Sequence, residues 1–295
     1  MTKAKAPRSV SRPHDPAQLL SDAQFQCIRQ LINQRFGIAF GDDERFMVAS
    51  RLGERLRDLR CDTFAAYCER LTCPETSGEE LDRAVEFLTT NETYFFREAY
   101  QLRAFCDDIL PELHRRNRAS RRLLLWSAGC SSGEEAYTLA MLVADSPLFR
   151  DWEVRIFGSD INTRMLAKAR AGVFTESSFR STPPEMRARH FTATDAGLCV
   201  NDDIRALCHF ARLNVLDRDN GYFVGRADAI FCRNMLIYFD QRSRQTCLAN
   251  LYDRLVPGGY LLLGHSELLL NTDTAFEPVH LSEDLVYRRP ERPHE

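Results

Sequence analysis

The stretch Trp126-Ser127-Ala128-Gly129-Cys130-Ser131-Ser132-Gly133-Glu134-Glu135 decides the fold. It follows the apolar run Arg122–Trp126, which reads as a strand, and it opens Glu134–Ala144, which reads as a helix. The two glycines therefore sit in a strand-to-helix turn, the context in which a glycine loop is informative. Gly129 and Gly133 permit a tight turn and a close backbone approach to a ligand. Taken alone, the loop fits a structural turn equally well.

The two glutamates narrow the choice of ligand. A pyrophosphate set against a helix N-terminus is favoured by the free backbone N–H groups there, and Glu134 and Glu135 would repel it. They would attract a cation, and S-adenosylmethionine carries both an ammonium and a sulfonium. One acidic residue in the first turn is accounted for by the helix dipole, so Glu135 is taken as the ligand. Asp160, in Phe157-Gly158-Ser159-Asp160-Ile161-Asn162, ends a second strand where a carboxylate can accept from both hydroxyls of a ribose. A helix N-cap is the alternative for Asp160. Asn214, Val215 and Asp217 follow another short strand, where contacts to an adenine ring arise. Turn chemistry explains Asn214 almost as well.

Working outward, Val154–Phe157 reads as the second strand and Met165–Ala169 as part of a second helix. Ala229–Cys232 is a buried strand followed by a helix from Gln241 to Leu255, and Pro257-Gly258-Gly259 turns into the strand Tyr260–Leu263. Residues 284–288 make a last strand. This alternation predicts an α/β fold, a doubly wound, Rossmann-like sheet of the class I methyltransferase kind, over residues 99–295. Between Gly172 and Phe210 the sequence is polar and has only short β-like pieces, around 198–200 and 206–210. It reads as a β-subdomain, 172–210, inserted at the sheet edge.

Upstream the pattern is helical. Ser21 with Gln24 fits a capping box, followed by Phe25, Ile28, Leu31 and Ile32 at helical spacing. Met47, Leu52, Leu56 and Leu59 mark a second helix, a third starts at Asp62, and Ser77 with Glu80 forms another capping box. Residues 21–88 thus read as a small all-helical domain. A flexible tail, 1–20, precedes it, and a linker, 89–98, follows it and contributes to the active site.

The formal net charge is −3 over 295 residues, which gives no reason to expect nucleic acid as partner. No apolar run approaches the ~20 residues that span a bilayer, and the basic N-terminus lacks the apolar core of a signal peptide. The expectation is a cytoplasmic protein without direct membrane insertion. The ten cysteines contain no C-x-x-C pair, and Cys61, Cys68 and Cys73 have no histidine pair nearby, so reduced thiols and no metal site are expected.

Several blocks together resemble the bacterial chemotaxis receptor methyltransferases, the CheR family. They are Thr90-Asn91-Glu92-Thr93-Tyr94-Phe95-Phe96-Arg97-Glu98, the 127–135 loop, Ser159-Asp160-Ile161, Phe231-Cys232-Arg233-Asn234-Met235-Leu236-Ile237-Tyr238-Phe239 and Gly264-His265-Ser266-Glu267. The resemblance implies methyl transfer from S-adenosylmethionine to glutamate side chains on chemoreceptor cytoplasmic helices, with S-adenosylhomocysteine as the product. It also implies that Asn91, Thr93, Arg97, Glu135, Asp160, Asn214, Val215, Asn234 and Met235 line the cofactor beside Gly129. Arg97 and Tyr238 match the positions nearest the reacting methyl. In some members the insertion grips a peptide at the receptor's C-terminus. The segment between Phe191 and Gly197 looks shorter here than in those members, so no such peptide is expected to be needed. The generic loop of such enzymes has an acidic residue and a third glycine where this chain has Ser127 and Ser131, a departure the family tolerates.

The chemistry asks little of the protein. A glutamate with an unperturbed pKa near ~4.3 is already a nucleophilic carboxylate at neutral pH, so neither a general base nor a metal is required. Alignment and water exclusion carry the rate, and effective molarity is worth roughly 7–11 kcal/mol. His265 and Ser266 lack the acidic partner and oxyanion loop of a hydrolase. Cys232 is not preceded by proline and Asn234 is not followed by Pro-Pro-aromatic, which argues against a nucleic-acid base as substrate. Arg51, Arg55 and Arg57, with Arg45 and Arg60, outnumber Glu54 and Asp58 on the second helix, which the resemblance turns toward an acidic receptor. A solvated face is the plain alternative. Two other functions fit the fold: a non-catalytic cofactor-binding signalling protein, and a small-molecule carboxyl methyltransferase.

Overall fold

The computed structural model describes residues 20–218, 225–269 and 274–291. The expected tail, 1–20, lies outside these except for Leu20, which is buried. The chain divides into two compact units, residues 20–35 with 39–88, and residues 36–38 with 89–291.

The first unit is helical. Helices α1 (Asp22–Phe36), α2 (Arg45–Leu59), α3 (Phe64–Thr72) and α4 (Ser77–Leu88) bury Phe25, Ile28, Ile32, Val48, Leu52, Leu56, Tyr67, Leu71 and Val85. The Ser21 capping box is present in both directions, with Ser21 N donating to Gln24 Oε1 at 2.9 Å and Gln24 N to Ser21 Oγ at 3.4 Å. The third helix is capped by Thr63, one residue beyond the expected Asp62; its Oγ1 accepts from Ala66 N. The Ser77–Glu80 box is a correction. Glu80 points inward, accepts from the Tyr67 hydroxyl at 2.9 Å and takes Arg55 on both oxygens at 2.9 and 2.7 Å. Burial would raise that carboxyl, but these bonds outweigh it and hold it below its ordinary range.

The second unit begins with α5 (Ala99–Ala104), widens to a π-turn over Phe105–Ile109 and continues as α6 (Leu110–Arg116). Pro111 has no N–H to give to the turn before it, and Leu110 N reaches back to Phe105 O instead. The α/β layers follow, with β1 (Arg122–Ala128), α7 (Glu134–Asp145), β2 (Glu153–Asp160), α8 (Thr163–Ala171), β3 (Val173–Phe174), α9 (Pro184–His190), β4 (Phe191–Thr194), β5 (Gly197–Val200), α10 (Asp202–Arg205), β6 (Cys208–Arg212), β7 (Ala227–Cys232), α11 (Gln241–Arg254), β8 (Leu255–Leu263), β9 (Glu277–His280) and β10 (Leu285–Arg288).

The main sheet has the order β6-β2-β1-β7-β8-β10-β9. Its first five strands run parallel, and β10 is antiparallel to both β8 and β9. The parallel strands read as continuous apolar runs because helices cover both faces; all six residues of β7 are buried. Pro257-Gly258-Gly259, expected as a turn, lies inside β8, where the register against β7 slips between Ala227 and Ala229.

The insertion is smaller than expected. A three-stranded antiparallel sheet, β3-β5-β4, ends at Val200. The strand near 206–210 is β6, which belongs to the main sheet and pairs with β2 from Ile156↔Cys208 to Asp160↔Arg212. The segment between Phe191 and Gly197 is a tight hairpin rather than a loop, closed by the pair Thr194↔Gly197. Phe95 anchors the insertion, with its ring 4.8, 5.2 and 5.0 Å from those of Phe174, Phe179 and Phe191.

Candidate active site

The order β6-β2-β1-β7-β8 places β2 on one side of β1 and β7 on the other, so the succession of strands changes direction at β1, and ligands of open α/β sheets bind outside the carboxyl ends of the strands at such a switch point. Four of the predicted elements meet along that edge. The 129–133 loop leaves β1, Asp160 ends β2, Asn214 and Val215 follow β6, and Asn234–Tyr238 follow β7.

The glycine loop is built by its neighbours. Gly129 N and Cys130 N both donate to Ser159 O, at 2.8 and 2.9 Å. Gly129 (φ +79) and Gly133 (φ +97) lie in the left-handed region, and a Cβ on them would come within 2.9 Å of Met235 Sδ and Ala169 Cβ respectively. Asp160 closes the loop: its Oδ2 accepts from Ser131 N at 2.9 Å and its Oδ1 from Asn162 N at 2.8 Å. The N-cap alternative for Asp160 is taken by Asn162, whose Oδ1 accepts from Arg164 N and Met165 N. Burial raises the Asp160 carboxyl, opposed by the backbone N–H groups of Asn162, Ser131 and Ile161.

The two glutamates differ. Glu134 is 2% exposed, and its carboxylate accepts from the Ser132 and Ser178 hydroxyls at 2.7 and 2.9 Å. Glu135 keeps 16% of its side chain exposed, accepts from Ser127 Oγ at 2.6 Å and pairs with Arg233 at 3.2 Å. Burial raises both carboxyls, opposed at Glu134 by the serine hydroxyls and at Glu135 chiefly by Arg233.

The 91–98 segment is tied to the same edge. Asn91 O accepts from Ser131 Oγ at 3.4 Å, while Asn91 Nδ2 donates to Thr89 O at 3.2 Å. Phe96 N donates to Thr138 Oγ1 at 3.2 Å. Thr93 is half-buried. Arg97 donates to Glu92 O and lies 5.6 Å over the Tyr94 ring. Asn234 and Met235 are half-buried at the end of β7, and Tyr238, on the short turn Leu236–Tyr238, is 36% exposed. Asn214 Oδ1 accepts from Leu216 N, so that side chain forms the local turn, while Val215 is buried.

Two residues inside the quoted blocks carry more of this geometry than sequence reading assigned. Arg233 joins Glu135, Glu98 and Arg97 O. Glu267 accepts three backbone N–H groups, from Asn234 at 2.6 Å, Gly264 at 2.9 Å and Ile237 at 3.1 Å, and so clamps the loop after β7 to the loop after β8. Their only sequence signal was position, beside Asn234 and beside His265-Ser266, and both of the latter are exposed. In the helical unit Arg55 is committed to Glu80 and Arg51 donates to Leu88 O at 2.7 Å, whereas Arg57 is exposed.

The donor set fits S-adenosylmethionine. A half-buried aspartate at the end of β2 and a partly exposed glutamate in the first turn of α7, which follows β1, stand beside a glycine loop with no room for side chains. No groups of histidine, cysteine and acidic residues that could hold a metal occur among the described residues. The sheet order with its reversed strand and this edge define an S-adenosylmethionine-dependent methyltransferase of the class I fold.

Comparison with known proteins narrows the class. Residues 91–285 match the family described as CheR methyltransferase, SAM binding domain, and residues 23–89 that described as CheR methyltransferase, all-alpha domain. The chain belongs to the CheR methyltransferase family. It is 34% identical over 276 residues to chemotaxis protein methyltransferase 2 of Vibrio cholerae, covering 93% of this chain and 95% of that protein. It is 40% identical over 262 residues to the chemotaxis protein methyltransferase of Escherichia coli (87% and 88% covered) and 39% over 257 residues to that of Salmonella typhimurium (85% and 86%). No helix among the described residues is long and apolar enough to cross a membrane.

Proposed function

We propose that this methyltransferase esterifies glutamate side chains on the cytoplasmic helices of chemoreceptors. The observation that carries the reading is that Arg97 and Tyr238, both reachable from solvent, lie on two segments tied to the cofactor edge through Arg233 and Glu267. When bound, S-adenosylmethionine supplies a methyl group activated by its sulfonium, which leaves as the neutral thioether of S-adenosylhomocysteine.

Every other task falls to the chain. Glu135 receives the cofactor's ammonium and Asp160 its ribose hydroxyls, with Asn91, Thr93, Asn234 and Met235 completing the wall beside Gly129, and Asn214 and Val215 at the adenine. Arg97 orients the incoming carboxylate by a charge-assisted hydrogen bond, a geometry a guanidinium suits better than an ammonium. The Tyr238 hydroxyl fixes the second oxygen of that carboxylate. No proton is moved, because the nucleophile is ionised at working pH. Arg57 steers the acidic receptor, in a cytoplasmic reaction that needs no receptor C-terminal peptide.

The test is incubation of the purified protein with methyl-labelled cofactor and membranes bearing a chemoreceptor truncated before its C-terminal peptide, followed by mild base. Base-labile label on the receptor, reduced at least about 100-fold in Arg97→Ala, is expected. Base-stable label, or label only on small acids, would sink the glutamyl-ester reading.

A further inference from the structure

Arg233 is a deeply enclosed charge on the cofactor edge, with 3% of its side chain exposed. Its Nη2 donates to Arg97 O at 2.7 Å and to Glu98 Oε2 at 2.9 Å, and its Nη1 to Glu135 Oε2 at 3.2 Å. The backbone around these contacts is held in conformations that L-residues avoid: Glu98 (φ 57), Phe96 (φ 58) just before Arg97 and Asn234 (φ 57) just after Arg233 all lie in the left-handed region. One guanidinium between two carboxylates leaves one net negative charge, in a place from which water is largely excluded. Breaking such a pair leaves an uncompensated buried charge, which is far more costly than losing a surface bridge.

We infer that Arg233 is a positioning residue for methyl transfer. It fixes the turn that presents Arg97, and it holds Glu135 and Glu98 together so that their residual negative charge faces the cationic end of the cofactor. This rests on Glu135 as the cofactor's ammonium ligand. Besides Arg233, the titratable groups facing the node are Glu98 and Tyr100 from the segment before and within α5, Cys130 from the glycine loop and Cys232 from β7. None of these is a cation. Without Arg233, Glu135 loses the cation that opposes its burial while Glu98 still repels its charge, and cofactor binding has to displace a proton from Glu135.

The experiment is calorimetric titration of the full chain with S-adenosylhomocysteine and S-adenosylmethionine between about pH 5 and pH 8. In Arg233→Met, affinity for S-adenosylmethionine near neutrality is expected to fall about 100-fold, and the acid limb of the binding profile moves up by about one pH unit or more. Adding Glu98→Gln to that variant brings the limb back toward the wild type. Arg233→Lys keeps the charge and the limb while weakening binding about tenfold through the lost second arm. Glu98→Gln alone, which threatens the fold least, weakens binding about tenfold by neutralising the node. A folded Arg233→Met with the wild-type limb overturns the proposal. If that variant does not fold, unchanged affinity in both Glu98→Gln and Arg233→Lys overturns it. A wild-type affinity in Glu135→Gln would remove the premise itself. Because only the cofactor is measured, none of these outcomes depends on the receptor or the ester chemistry.

Discussion

Glu134 and Glu135 occupy consecutive positions at the start of one helix, yet the first is sealed among serine hydroxyls while the second faces an arginine and keeps an open side. A helix turns 100° per residue, so neighbours point into different environments, and the environment rather than the residue type decides the role. Asp160 is the same case one strand away, a carboxylate that both closes the glycine loop through Ser131 N and remains half-buried at the edge. Replacing it in Asp160→Asn keeps the shape and removes the charge. A charge-assisted hydrogen bond is worth about 1.5–3 kcal/mol, so cofactor affinity should drop about 10- to 100-fold, with the melting temperature lowered as well because one of the two backbone N–H groups held by Asp160 loses its acceptor. The pH dependence has a definite sign. Burial raises the carboxyls of Asp160 and Glu135 above their ordinary values, and a cationic ligand needs them ionised. Cofactor affinity is therefore flat on the alkaline side and falls on acidification at a higher pH than an ordinary carboxylate near ~4 would allow. A profile that stayed flat down to about pH 5 would show that neither carboxylate ionises in the binding step.

At the scale of elements, what was legible in the sequence is what is local. The strand, glycine loop and helix of 122–144 are contiguous, and the Ser21–Gln24 box spans three residues, so their reading needed no knowledge of the rest of the fold. Ser77 and Glu80 have the same spacing and failed, because Arg55, 25 residues earlier in the chain, offers Glu80 a buried ion pair that a helix end cannot match. Strand β6 was assigned to the insertion because its partner β2 is far away in sequence, and parallel pairing leaves no hairpin signal. Arg233 escaped notice for the same reason, its acidic partners lying 98 and 135 residues away. The arginines of α2 divide in the same way. Arg55→Ala removes both short bonds from Glu80, leaving the Tyr67 hydroxyl and Arg70 at 3.5 Å, and is expected to destabilise the helical unit by about 3 kcal/mol, measured by chemical denaturation, so that any loss of receptor methylation in it reports folding. Arg57→Ala should leave stability within about 0.5 kcal/mol and raise the KM for receptor alone; a raised KM for cofactor would contradict a docking role.

Across the whole molecule, charge is distributed so that the global balance says little and the local arrangement says much. The formal net charge is −3, yet α2 presents exposed Arg57, with Arg60 just past its end. The cofactor edge instead holds its acids against a buried guanidinium. These two kinds of electrostatics respond differently to salt. Exposed charges act over a Debye length that shrinks from about 10 Å at 0.1 M to about 3 Å at 1 M, whereas a buried pair is screened far less. Steered encounter with an acidic helical partner is then a rate effect that salt removes, and cofactor recognition is an equilibrium effect that salt spares. Raising ionic strength over that range should lower kcat/KM for receptor methylation by about tenfold or more, with the dissociation constant of S-adenosylhomocysteine changing less than about twofold. In Arg57→Ala the salt dependence of kcat/KM should flatten, since the charge that salt screens is already gone. Equal salt sensitivity in wild type and variant would place the receptor contact elsewhere than on α2.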